Sequence, residues 1–446
     1  MVTLLIYGWI FVILLLMLIN EQKGIALFIP YVILMPFYNP TILYVVVFIF
    51  YLFAKFRKHE LHLSDITPFK PLLLYFLLFF CLIPFQSLTP KGVQVNFFYN
   101  DFFTVMTLPI IMWWEMKTDG SSFLLFRKVI LICILIVAIY GLFLTLTPGS
   151  NPYLYFLMES IGLDNAQDLQ EYTDAGDGRL FGRISSVFIH PMTFGLFMGL
   201  SLTYWLSVSN YQRDRRFYVI STILVVMIVL CGVRSALAAL FVVAIVYLFF
   251  VRKLKLSLRS MLFMLFGIYL IMQIPFLSTY IGSIFGGSND DVSGSSLEMR
   301  LMQYAGCLDE FMDSPLLGKG YGWHKFYISE YGDHPILLAF ESLVYVVLCD
   351  GGLLGVLIWI GFIVYMCIVA KLNLGQNYAF VLMLLSFYFS YSCITGEFGY
   401  MKYFMFFYIL LYYDKLIGEQ GFEQLNGQEE LADSIDCLEN TDTNYE

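Results

Sequence analysis

The chain has 446 residues, of which 59% are hydrophobic, 18% aromatic and only 13% charged, with a mean hydropathy of +0.76. A soluble domain of this length carries far more charge, so the composition excludes one and points to an all-α polytopic membrane protein. The net charge of -9 is local, because the stretch Glu419 to Glu446 holds nine acidic and no basic residues, and without it acidic side chains equal the 25 basic ones.

That tail reads as a solvated, disordered extension of a neutral membrane domain over 1–418. The first 20 residues are apolar but lack a basic leader and a small-residue cleavage pattern, so they read as a retained span. The eight Cys residues are scattered, with no Cys-x-x-Cys and no Cys/His cluster. The pattern argues against a disulfide framework and against a zinc or iron-sulfur site, and no metal or cofactor is expected.

Apolar runs predict spans near 3–19, 25–38, 41–54, 71–88, 102–114, 128–147, 187–208, 217–231, 235–251, 260–281, 353–370, 378–394 and 400–413, with a shorter apolar segment at 336–349. The total is about 12–13 transmembrane helices. Basic residues in short loops resist translocation. Lys55, Arg57 and Lys58; Lys117, Arg127 and Lys128; Arg213, Arg215 and Arg216; Arg252, Lys253, Lys255 and Arg259; and Lys371 are separated by even numbers of these spans. They therefore share the cytoplasmic side, with the tail. Two long loops, about 148–186 and 282–335, and the hairpin tip Gly232 to Ser235 then face outward, and any chemistry belongs at the outer bilayer surface.

The longest polar interruption runs from Gly282 to Gly355. Within it, Ser295 and Glu298 form a capping box, and Leu297, Leu301, Tyr304, Leu308 and Phe311 recur at helical spacing until Asp313-Ser-Pro315. Arg300 sits at the edge of that apolar stripe, so the helix could lie on the bilayer and aim Arg300 along it. Arg234 follows an apolar run that rises only about 22 Å as a helix, short of the roughly 30 Å hydrocarbon core. Its charge is therefore expected near or below the outer interface, on the wrong side for a topology signal. Arg179 and Arg183 end the first outer loop, and His190 follows Arg183 by about two helical turns, before Pro191.

Several outer Arg residues without nearby carboxylates in sequence suit an anionic ligand, since the guanidinium fork grips phosphate bidentately. In a membrane the candidate is a lipid diphosphate. The segment Gly318-Lys319-Gly320-Tyr321-Gly322 could offer backbone amides to the same anion. No Walker motif, dinucleotide fingerprint or Asp-x-Asp is present, which disfavours a metal-held nucleotide-sugar donor and any nucleic-acid role. His324, His334 and Glu341 are the candidate general bases on this face. Glu341 lies in an otherwise apolar segment, where a carboxylate needs a purpose or a salt-bridge partner.

Four patterns resemble the O-antigen polymerase and O-antigen ligase superfamily of bacterial envelope glycosyltransferases. They are Arg183 leading into Ser185-Ser-Val-Phe-Ile-His-Pro191; Cys231-Gly-Val-Arg-Ser-Ala-Leu237; Arg300 followed by Pro315-Leu-Leu-Gly-Lys-Gly-Tyr-Gly322; and Glu341-Ser342 followed by Gly352-Leu-Leu-Gly355. They span about 179–370.

The resemblance implies a GT-C-like membrane enzyme that uses an undecaprenyl-diphosphate-linked glycan as donor for metal-independent, inverting transfer on the periplasmic face of the inner membrane. It places Arg183, Arg234 and Arg300 on the diphosphate and leaves the base between Glu341 and His334, while Arg179, His190, Lys319 and His324 stay additional candidates from the residues themselves. A chain-length regulator and a flippase are further implied partners. In the ligases a His usually stands a short fixed distance before the Gly-Leu-Leu-Gly element. That register falls here on Glu341, with His334 seven positions upstream, and leans toward a polymerase. A ligase acting on lipid A core and a transporter of the lipid-linked glycan are the alternatives.

Overall fold

A computed structural model describes residues 2–36, 40–58, 66–147, 151–161, 184–208, 215–253, 297–395 and 401–418. Among these the chain is helical and forms no β-strand, as expected where apolar surroundings leave backbone groups no partner but each other.

The helices are α1 (Val2–Ile19), α2 (Glu21–Leu34), α3 (Thr41–Arg57), α4 (Lys70–Leu82), α5 (Lys91–Thr118), α6 (Ser121–Leu146) and α7 (Pro152–Ile161). There follow α8 (Pro191–Ser207), α9 (Arg215–Leu230), α10 (Arg234–Val246, extended by a π turn to Val251), α11 (Leu297–Met312), α12 (Trp323–Tyr331), α13 (Leu343–Leu374), α14 (Tyr378–Ile394) and α15 (401–418). Every expected span falls on a helix except 260–281, which lies outside the described residues, as does the tail 419–446.

Four stretches among the described residues are long and apolar enough to cross a bilayer on their own: Thr67–Phe85, Ser121–Leu146, Arg234–Val251 and Leu343–Ile394, the last containing both α13 and α14. The expectation of 12–13 spans therefore leans on shorter helices, which pack beside these four.

One boundary holds and one changes. The apolar segment 336–349 and the span 353–370 are divided at Gly352, whose φ 60°, ψ -154° breaks the run 343–374 into two helical halves. And α5 begins at Lys91 rather than near 102, because Gln94 and Asp101 on its first turns are buried against the loop after α11.

The bundle has two distinct ends. At one, Lys58 pairs with Glu21 at 2.6 Å, Gln22 donates to Asp119 at 2.5 Å, Lys253 donates to Gln376 at 3.3 Å and Tyr413 donates to the Met116 carbonyl at 2.5 Å. The topology-setting basic residues that are described gather here. At the other end, Tyr391 donates to the Met192 carbonyl at 2.6 Å and Ser342 to the Cys393 carbonyl at 2.6 Å. These two bonds draw the start of α8, the end of α14 and the start of α13 together, at the end where the polar segment before α13 folds.

Candidate functional site

The site grows from an interlock between two glycine-containing turns. At the break in α13 the helix cannot supply its own bonds, so Leu353 N donates to the Pro315 carbonyl at 2.9 Å and Leu354 N to the Leu316 carbonyl at 3.1 Å. In the other direction Lys319 N donates to the Cys349 carbonyl at 2.8 Å and Gly320 N to the Asp350 carbonyl at 3.1 Å. The backbones approach so closely that a Cβ on Gly352 would lie 2.5 Å from Gly318 N, and one on Gly318 would overlap the Asp350 carbonyl. The sequence patterns Pro315-Leu-Leu-Gly318 and Gly351-Gly-Leu-Leu-Gly355 are the two halves of this joint.

The segment between α4 and α5 clamps it. Gln86 Nε2 donates to the carbonyls of Leu317 at 2.6 Å and Asp350 at 2.9 Å, Thr89 donates to the Lys319 carbonyl at 3.0 Å, and Tyr321 N donates to Oε1 of Gln86 at 3.2 Å and of Gln94 at 3.1 Å. The N-terminal third of the chain, which the family patterns do not reach, thus sets the shape of the site.

One expectation fails here. Gly318 to Gly322 was expected to offer amides to an anion, yet every N–H from Gly318 to His324 is engaged: with the Ser314, Cys349, Asp350 and Gly320 carbonyls, the Gln86 and Gln94 side chains, and the Asp350 carboxylate. The glycines serve close approach, and their donors are consumed by the interlock.

Asp350, on the last turn before the break, is the hub. Its Oδ2 accepts from Gly322 N at 3.0 Å, its Oδ1 accepts from His324 N at 3.0 Å, and His324 Nδ1 lies 2.7 Å from Oδ2. A carboxylate has no proton to give, so the imidazole donates through Nδ1–H and carries its lone pair on Nε2. His324 is 3% exposed, and its Nε2 has no hydrogen-bond partner. A small cavity beside it is lined by Asp101, Tyr321, Asp350, Tyr75, Val346 and Trp359, among others. There Asp101 accepts from the Tyr321 hydroxyl at 3.0 Å and from Lys325 at 3.2 Å.

His334 is differently placed. Its Nδ1 accepts from Ile336 N at 3.1 Å and Leu337 N at 2.9 Å, so its proton sits on Nε2, 3.2 Å from Glu310 Oε1. Both ring nitrogens are thus engaged, Nδ1 in folding the 334–338 turn and Nε2 with Glu310. Glu310 also binds Lys319, which reaches Asp313 at 2.7 Å and lies over the Trp323 ring at 4.6 Å. Burial disfavours the Lys319 charge, but the two carboxylates outweigh it and hold its pKa above the ordinary lysine value. Lys319, expected as a phosphate contact, has its charge already matched within the protein.

Arg300 is held by Gln303 at 3.0 Å and by Glu341 at 3.1 Å, the salt bridge that the place of Glu341 in an apolar segment allowed for. The pair is partly exposed, and next to it Ser342 caps α13 by accepting from Val344 N at 3.2 Å. Arg234 opens α10 after the left-handed Gly232 and the N-cap residue Val233. Because α10 packs along α14, with their far ends joined by Lys253 and Gln376, Arg234 stands at the end where Cys393 meets Ser342. His190 occupies the N-cap position of α8 at that same end. Arg179 and Arg183 lie outside the described residues.

Sequence reasoning missed Asp350, Asp101 and Glu310. Asp350 was detectable as a carboxylate inside an apolar run, but its pairing with His324 depends on the interlock. Among the described residues no group of three His, Cys, Asp or Glu side chains is placed to hold a metal ion.

Comparison with curated proteins finds no match. Residues 219–360, which take in Arg234, Arg300, the interlocked turns and Glu341, match the family model described as O-antigen ligase, in keeping with the superfamily that the four sequence patterns resemble.

Proposed function

We propose that this protein is a repeat-unit polymerase of the bacterial inner membrane, joining undecaprenyl-diphosphate-linked oligosaccharides into O-antigen, capsule or exopolysaccharide. The reading rests on one observation above others: Arg234 and Arg300 sit at the same end of the bundle, within the stretch that matches the O-antigen ligase family. That end faces the periplasm and the tail is cytoplasmic, because the basic loops cluster at the opposite end.

The diphosphate is already a good leaving group. What the protein must add is alignment of donor and acceptor, removal of one proton and screening of the departing charge. Guanidinium groups at the interface supply the last without a metal ion. Arg300 is held ready by Glu341, and a bound diphosphate would compete with that carboxylate for it. Arg183, in the matching position of its own pattern, is the third diphosphate ligand in this proposal.

The register that puts Glu341 where ligases carry His favours polymerase. The description of the matching family favours ligase as second reading. Lipid-linked intermediates in a deletion strain separate the two, since loss of a polymerase leaves single-unit glycans and loss of a ligase strands long chains on the carrier lipid. Arg234→Ala and Arg300→Ala are each expected to abolish polymer with the protein still present in the membrane. Normal chain length in both would remove the diphosphate role.

A further inference from the structure

We infer that His324, oriented by Asp350, is the proton acceptor of the transfer, working through one water molecule held in the adjoining cavity. The assignment rests on the glycosyl-transfer reading and names a residue that the family patterns do not.

Of the three candidate bases, His334 has its Nδ1 lone pair engaged by the amides of Ile336 and Leu337 and its Nε2 proton directed at Glu310. Protonating it at Nδ1 would break the turn that positions it. Glu341 already has Arg300 as its salt-bridge partner at 3.1 Å, so its carboxylate is occupied within the protein. His324 has the opposite arrangement. Its Nδ1–H is donated to a carboxylate that is fixed by two backbone amides, and its Nε2 lone pair has no partner although the residue is almost fully buried.

A buried acceptor without a partner calls for a ligand or a water. His324 lines a cavity with room for about one water molecule. Its polar lining includes Tyr75 from α4, Asp101 from α5, Tyr321 from the loop and Asp350 from α13, with Lys325 of α12 held on Asp101, while the Phe340 ring packs against the imidazole from the segment before α13. Proton transfer through a single water is within the reach of general-base catalysis.

The acceptor hydroxyl oxygen forms a bond to the anomeric carbon of the donor, and the bond from that carbon to the diphosphate oxygen breaks with its electron pair leaving on the diphosphate. The hydroxyl proton passes to the cavity water, which gives one of its own to His324 Nε2. Asp350 stabilises the imidazolium, which returns its proton to solvent after the product leaves.

Full-length protein in lipid nanodiscs, supplied with lipid-linked glycan extracted from a strain lacking its gene, would report new glycosidic bonds as a function of pH. His324→Asn keeps a side-chain amide able to donate to Asp350 but has no titrating nitrogen. We expect it to lose roughly 100- to 10,000-fold in rate, and its residual activity to lack the rise with pH that the wild-type protein and Glu341→Gln both show. Where His324→Asn is not monodisperse, His324→Gln serves in its place. A variant within a few-fold of wild type, or one whose reduced rate keeps the wild-type pH profile, would overturn the assignment and leave His324 as a turn-pinning residue. If the wild-type protein forms no glycosidic bond from this donor, the transfer reading falls, and the assignment with it.

Discussion

Replacing Gly352 by Ala tests whether the interlock organises the site. At φ 60°, ψ -154° this residue occupies backbone space that is essentially reserved for glycine, at a cost of roughly 1–3 kcal/mol for any other residue. The added Cβ would also lie 2.5 Å from Gly318 N and 2.9 Å from the Leu316 carbonyl group, all backbone atoms that cannot swing aside. The turns must then separate, weakening the bonds of Leu353, Leu354, Lys319 and Gly320 across the joint, each worth about 0.5–1.5 kcal/mol. Losing half of them brings the total to roughly 2–6 kcal/mol. Thermal melting of the purified protein in detergent, followed by size-exclusion chromatography, reads the loss, and polymer formation should fall with it. Gly361→Ala is the control, on the same helix with nothing within 4 Å of its added Cβ, and is expected to be neutral or stabilising by up to about 1 kcal/mol. Equal melting of the two variants would refute the reasoning.

Gln86→Leu removes the donor to the Leu317 and Asp350 carbonyls and an acceptor for Tyr321 N. With roughly 1–3 kcal/mol for each buried group left unpaired, we expect a clear fall in melting temperature and loss of activity in the same assay. His334→Asn should be tolerated with the wild-type pH profile, because an Asn oxygen can accept from the amides of Ile336 and Leu337 in an Asx turn; a vanished pH limb would restore His334 as base. The Lys319 pKa is raised by Glu310 and Asp313 against the effect of burial. Its contribution is therefore fully present below the ordinary lysine value of 10.5 and lost as the pH climbs beyond it. Melting curves should show an alkaline loss of stability that Lys319→Met lacks.

Hydropathy determined the all-α membrane architecture and nearly every helix, because apolar length and the need to satisfy the backbone in lipid are local properties of the chain. The basic loops determined which ends group together, and the family patterns picked out Arg234, Arg300 and Glu341 before any contact was known. Helical spacing also anticipated α11 and its end before Pro315. What a one-dimensional reading could not supply were relations between distant segments. Gln86 and Gln94 meet Tyr321 across more than 220 positions, and Asp350 meets His324 only because α13 breaks at Gly352 and takes its missing bonds from the loop. The same glycines that looked like an anion cradle proved to be a close backbone joint, since whether an amide is free is decided by what packs against it. Residue type alone did not choose among His324, His334 and Glu341, and only their hydrogen-bond partners in the folded chain tell them apart.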